Sequence, residues 1–191
     1  MLRSLSIAAV ICSLFPPVAD GVPSILIAFH QNSTSADAMA PAVAPTTEGS
    51  VVDTSSDNWN AITGGLSFSN VPLQLADGTE SGATASGTAG YSTTNGIGWA
   101  SQDKDWVMMA GWFGFKAAET LAVADLPPSI TNGGYHLVIY GDSNNTNRTM
   151  RYSIGDQTTT ITDSANFSGT FSEDGNFAIL SGLTGNSFTL E

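Results

Sequence analysis

Beyond residue 22, short apolar or alternating runs recur along the chain, separated by Gly, Asp, Asn and Pro. Ser24 to His30 (SILIAFH) follows a proline and reads as a first strand. Gln31 to Asp57 is rich in Ser, Thr, Ala and Pro without helical periodicity, which predicts a long loop with one short strand at Ser50 to Asp53. Asn70 to Ala76 (NVPLQLA) alternates and ends on the Asp77-Gly78 turn signal, and Ala83 to Tyr91 is expected to be an exposed, Thr-rich strand. Asp105 to Phe115 (DWVMMAGWFGF) is the most apolar stretch and fits a short helix or a strand. Thr120 to Val123 and Tyr135 to Tyr140 (YHLVIY) are further strands. Thr149 to Ile154 and Thr158 to Thr162 flank Gly155-Asp156 as a hairpin, and Asn176 to Leu180 with Ser187 to Leu190 predicts a second one.

Strands at such intervals, with no alternation of strand and helix, predict an all-β, antiparallel β-sandwich. The last run stops at Leu190-Glu191 as if mid-strand, so a truncated C-terminus is expected.

The first twenty-one residues have a different character. Arg3 supplies a positive start, Leu5 to Phe15 an apolar core, and Pro16-Pro17 a break before the small residues Val18, Ala19 and Gly21. This is the layout of a signal peptide cleaved after Ala19 or Gly21, leaving a domain over residues 22–191. The apolar core is too short for a permanent span, and no comparable run follows, so no membrane span is expected in the mature chain. The lone cysteine, Cys12, leaves with the leader, which excludes disulfides from the mature domain. The expected location is outside the cell or on its surface.

Charge narrows the partners. The net charge is −12, from 17 acidic against 5 basic residues, and it repels phosphate backbones, so nucleic acid is not an expected partner. Only 12% of residues are charged, so polarity comes from hydroxyls and amides, groups suited to hydrogen bonding polyols.

Several runs, taken in order, resemble a known group. These are Trp59 to Thr63, Leu73 to Gly78, Tyr135 to Gly141, Arg151 to Gly155 and Asn176 to Glu191. Together they are similar to secreted bacterial surface proteins of the exosortase-sorted (PEP-CTERM) type and to extracellular domains of planctomycetes. The resemblance covers most of residues 24–191 and implies a galactose-binding-like jelly roll, a fold shared by many carbohydrate-binding modules. The sequence departs from sorted members in having no Pro-Glu-Pro motif, apolar helix and basic tail at its end.

For chemistry, sugars offer apolar faces that stack on rings and hydroxyls that bond amides and carboxylates. Trp99, Trp106 and Trp59, with Gln102 and Asp103, are the candidate carbohydrate site, while Trp112, Tyr135 and Tyr140 are expected in the core. Gly141-Asp142-Ser143 is similar to the nucleophile block of SGNH esterases, but no Asp-x-x-His follows to supply a base, so no catalytic residue is assigned. His30 and His136 are isolated and read as structural. Asp77 to Glu80, Asp103 to Asp105 and Asp142 to Asn145 offer oxygen ligands for a structural calcium without matching an EF-hand; no ligand set is assigned and no other cofactor is expected. The expected activity is non-catalytic glycan or cell-surface binding. The alternatives are an accessory module of a carbohydrate-active enzyme, or a structural subunit that self-associates into a matrix or filament.

Overall fold

The computed structural model describes residues 5–7, 9–13, 23–30, 58–63, 67–88, 91–92, 113–115, 120–142, 146–165 and 167–191. Its strands are β1 (Leu5–Ile7), β2 (Ala9–Ser13), β3 (Ser24–His30), β4 (Asn60–Thr63), β5 (Ser67–Gln74), β6 (Glu80–Thr88) and β7 (Tyr91–Ser92). They continue with β8 (Phe113–Phe115), β9 (Thr120–Ala124), β10 (Tyr135–Tyr140), β11 (Arg148–Ile154), β12 (Gln157–Asp163), β13 (Phe177–Leu183) and β14 (Phe188–Leu190). One helical turn, α1 (Pro128–Thr131), is opened by proline at its first position and pinned by buried Ile130.

Two larger sheets carry most of the core. One runs β13-β10-β2-β3-β4, the other β14-β9-β6-β5, and the small sheets are β11-β12 and β1-β8-β7. Pairing is antiparallel except for β3 with β4. Reciprocal bonds of 3.0 Å between the backbones of Ser153 and Glu191 tie β11 to the end of β14. Thr162 N–H donates to the Asp174 carbonyl at 2.6 Å and holds β12 beside the approach to β13. The core draws Ile25, Ile27 and Phe29 from β3, Ala83 and Ala85 from β6, Leu137 and Ile139 from β10, and Met150, Tyr152 and Ile161 from the β11-β12 hairpin. The mostly antiparallel β fold is thus as expected.

All six residues of β10 are buried, which explains why its run is apolar without alternation: both faces of the strand are covered. β6 differs from expectation. It starts earlier, at Glu80, and is not an exposed strand: Ser81, Ala83, Ala85 and Gly87 turn inward at every second position. Small residues suit this face because Phe68 crosses it; a Cβ on Gly87 would lie 2.6 Å from Phe68 Cζ and 2.9 Å from the Thr120 carbonyl oxygen.

The β11-β12 hairpin forms as expected, with Gly155 at φ 56° in its two-residue turn. The second expected hairpin does not form. β13 pairs with β10 and β14 with β9, so Thr184 to Ser187 carries the chain from one sheet to another. Adjacency along the chain failed here: both strands pair with partners far away in sequence.

The N-terminal segment is part of the sheets. β2 lies between β10 and β3, antiparallel to both, with Ile11 opposite Val138 on one side and Leu26 on the other. β1 pairs with β8. The apolar core of the expected leader therefore occupies an interior strand position. The 31–57 loop expected from the sequence and the core position expected for Trp112 lie outside the described residues.

Candidate functional site

The site is built on the segment Asn58-Trp59-Asn60, where β4 and β5, the end strands of the two larger sheets among the described residues, meet. Asn60 opens β4 and acts as a clip to β5. Its Oδ1 accepts the Gln74 N–H at 2.7 Å, and its Nδ2 donates to the Gln74 carbonyl at 2.8 Å and the Leu26 carbonyl at 3.0 Å. The side-chain amide reproduces the donor and acceptor pair of a neighbouring strand, which satisfies a backbone edge that no strand covers among the described residues. The Asn58 N–H donates to the Ala76 carbonyl at 2.6 Å, and the Ala76 N–H to the Ser24 carbonyl at 2.8 Å.

Above this clip lies an open groove of about 690 Å³, lined by Asn58, Trp59, Gln74, Glu80 and Thr84 among others. Asn58 Nδ2 donates to Gln74 Oε1 at 3.0 Å. That bond leaves an acceptor on Asn58 Oδ1 and a donor on Gln74 Nε2, on two residues that line the groove. The Glu80 carboxylate and the Thr84 hydroxyl extend the polar lining. The groove falls in the size range of small-molecule sites, and its donors and acceptors come from neutral amides, a hydroxyl and one acid.

Trp59 is placed differently from expectation. Its side chain is 5% exposed, so its faces are covered and it offers no open ring for stacking. Its Nε1 is buried and makes no hydrogen bond. Trp99, Trp106, Gln102 and Asp103 lie outside the described residues, so only Trp59 of the expected set is placed at the groove. Gln74, Glu80 and Thr84 were not singled out from the sequence. Alternation within NVPLQLA does put Gln74 on the face opposite buried Leu73, and that was the available signal.

The other candidates resolve as follows. Tyr135 and Tyr140 are core residues, each 1% exposed. His136 is buried inside β10, and burial pulls its imidazole pKa below the ordinary value. Asp142 is buried and accepts the Phe167 N–H at 2.8 Å, a role that holds a loop on the end of β10. Asp77 stabilises its own turn. Its Oδ1 accepts from Thr79 Oγ1 at 2.6 Å and from the Thr79 N–H at 2.9 Å, and these bonds hold its carboxyl below the usual value. Among the described residues, no cluster of three or more His, Cys, Asp or Glu side chains is placed to hold a metal. No helix of the described residues is long and apolar enough to cross a membrane, which says nothing of strands. No family model, curated protein or solved structure matches the chain.

Proposed function

We propose that the protein is a secreted, non-catalytic β-sandwich domain of jelly-roll type that binds glycans at or near the cell surface. The groove carries this reading, with amide, carboxylate and hydroxyl groups set beside apolar Val71, Pro72 and Leu73. Asn58, Gln74, Glu80 and Thr84 present acceptors and donors of the kind that pair with sugar hydroxyls, on a rigid edge clipped by Asn60. The leader-like N-terminus and the resemblance to exosortase-sorted surface proteins support the extracellular setting.

The ligand face then differs from an aromatic platform at Trp59. In this reading hydrogen bonding falls to the groove, and Trp99, Trp106, Gln102 and Asp103 stay candidates from the sequence alone.

Affinity electrophoresis of the secreted protein through gels containing different polysaccharides tests the reading. Retardation by at least one neutral polysaccharide is expected. Gln74→Ala is expected to weaken it about three- to tenfold, as the loss of one or two hydrogen bonds does. Retardation unchanged in Gln74→Ala and in a Trp99→Ala/Trp106→Ala double variant rejects the groove and the stacking residues. Migration unaffected by every polysaccharide rejects glycan binding.

Assembly through the β5 edge is the less favoured alternative. β5 carries Pro72, register shifts on both sides of Val71-Pro72 and Asn70 at φ 52°, features that blunt an edge against pairing with another copy.

A further inference from the structure

Residues 9–13 play two incompatible parts. Their sequence reads as the apolar core of a cleavable leader, and their backbone is the interior strand β2, bonded on both sides. Removing residues 1–21 removes β2 and leaves a gap between β3 and β10 that is one strand wide, roughly 9.5 Å between the two backbones. It also strips β1 from β8.

The gap is costly to leave open. Over five register positions, Tyr140 to His136 on one side and Ala28 to Ser24 on the other lose their partner strand. Those strands are interior: Tyr135 to Tyr140 are all buried, as are Ser24, Ile25, Leu26, Ile27 and Phe29. An unpaired backbone polar group in such surroundings costs about as much as a lost hydrogen bond.

We propose that the exported protein takes up an extended segment of a partner polypeptide in this slot, by strand complementation between β3 and β10. This rests on the reading of residues 1–21 as a cleaved leader.

The slot defines its occupant. It runs antiparallel to both neighbours, as Ala9 to Ser13 does. It contains no proline, because an interior strand bonds its backbone on both sides. It is apolar and uncharged for about five residues, since a charge between two buried strands would lose its solvation.

A second copy is a poorer donor. The slot lies between two strands of one sheet, so only a free extended segment enters it. Among the described residues, the apolar runs Ile25 to Phe29, Leu137 to Tyr140 and Phe177 to Leu180 are already paired strands. Copies carrying a net charge of −12 also repel one another.

The test secretes the full-length chain from a bacterial host and determines the intact mass and oligomeric state of the exported protein. It then adds a synthetic peptide copying residues 5–13, with a Val10→Pro version as control. Expected are a mass without the leader, a monomer, and one-to-one uptake of the peptide but not of its proline version. With peptide at about a hundred times its dissociation constant, amide exchange in β10 slows about a hundredfold.

A mass that includes the leader overturns the inference at its premise and leaves the strand in place. A processed monomer that ignores the peptide overturns the slot itself, and a processed homo-oligomer overturns the choice of partner. If the exported chain is degraded before recovery, residues 5–13 are joined behind Glu191 through a Gly/Ser linker. Recovery of the secreted protein supports the slot, and failure to recover it overturns the inference.

Discussion

Asn60 shows how one side chain sets a site. Its amide bonds both backbone groups of Gln74 and the Leu26 carbonyl, so it fixes the distance between β3 and β5 as well as the floor of the groove. Asn60→Ala leaves these groups without that partner and is expected to cost about 1–3 kcal/mol in chemical denaturation. Asn60→Asp is expected to lose the two bonds donated by Nδ2 while keeping the acceptor.

His136 supplies a pH dependence. Burial lowers its folded-state pKa below 6.5, so the unfolded chain binds the proton first as pH falls. The contribution of neutral His136 is therefore intact above about 6.5 and declines below it. A drop in thermal midpoint between pH 7 and pH 5, reduced in His136→Gln, is the expected result of a melting series.

Both residues show what a chain position reveals. In the sequence Asn60 stands out only as part of the run Trp59 to Thr63, and His136 as a structural histidine. The partners of Asn60 lie 14 and 34 positions away, and nothing local names them.

At the scale of elements, strand identity was the most legible feature. β3, β9, β10 and the β11-β12 hairpin fall where apolar runs and turn residues place them. Gly155 at φ 56° explains the success of the hairpin: the turn needs a backbone geometry that glycine adopts without strain. Pairing was less legible. β13 and β14 follow one another across a turn yet join different sheets, because their buried residues meet separate partners, Leu137 to Tyr140 and Leu121 to Val123.

β6 failed at a different step. Its Ser, Gly, Ala and Thr composition suggested a solvent-facing strand, while its small inward residues in fact make room for neighbours such as Phe68. Gly87→Ala brings a methyl against Phe68 and the Thr120 carbonyl and is expected to cost about 1–3 kcal/mol by overpacking. Double substitution with Phe68→Leu is expected to recover part of that loss in the same denaturation measurement.

For the whole molecule, net charge is a further influence on stability. A chain of net charge −12 repels itself when folded, so added salt is expected to raise the thermal midpoint until screening saturates. A melting series in sodium chloride measures this, and a flat response would show that the acids are spaced widely enough not to interact.

By itself the sequence determined the all-β class, the strands of strongest pattern, the acidic surface and the leader-like start. Each of these follows from composition or from a period of two, properties of residues close together along the chain. The tertiary structure alone decided which strands share a sheet, that Trp59 is covered, that Asn58, Gln74, Glu80 and Thr84 share a groove, and that Ala9 to Ser13 fills an interior strand position. The physical reason is that backbone groups and apolar faces can be satisfied by any compatible segment, however distant. The choice among them depends on the packing of the whole core.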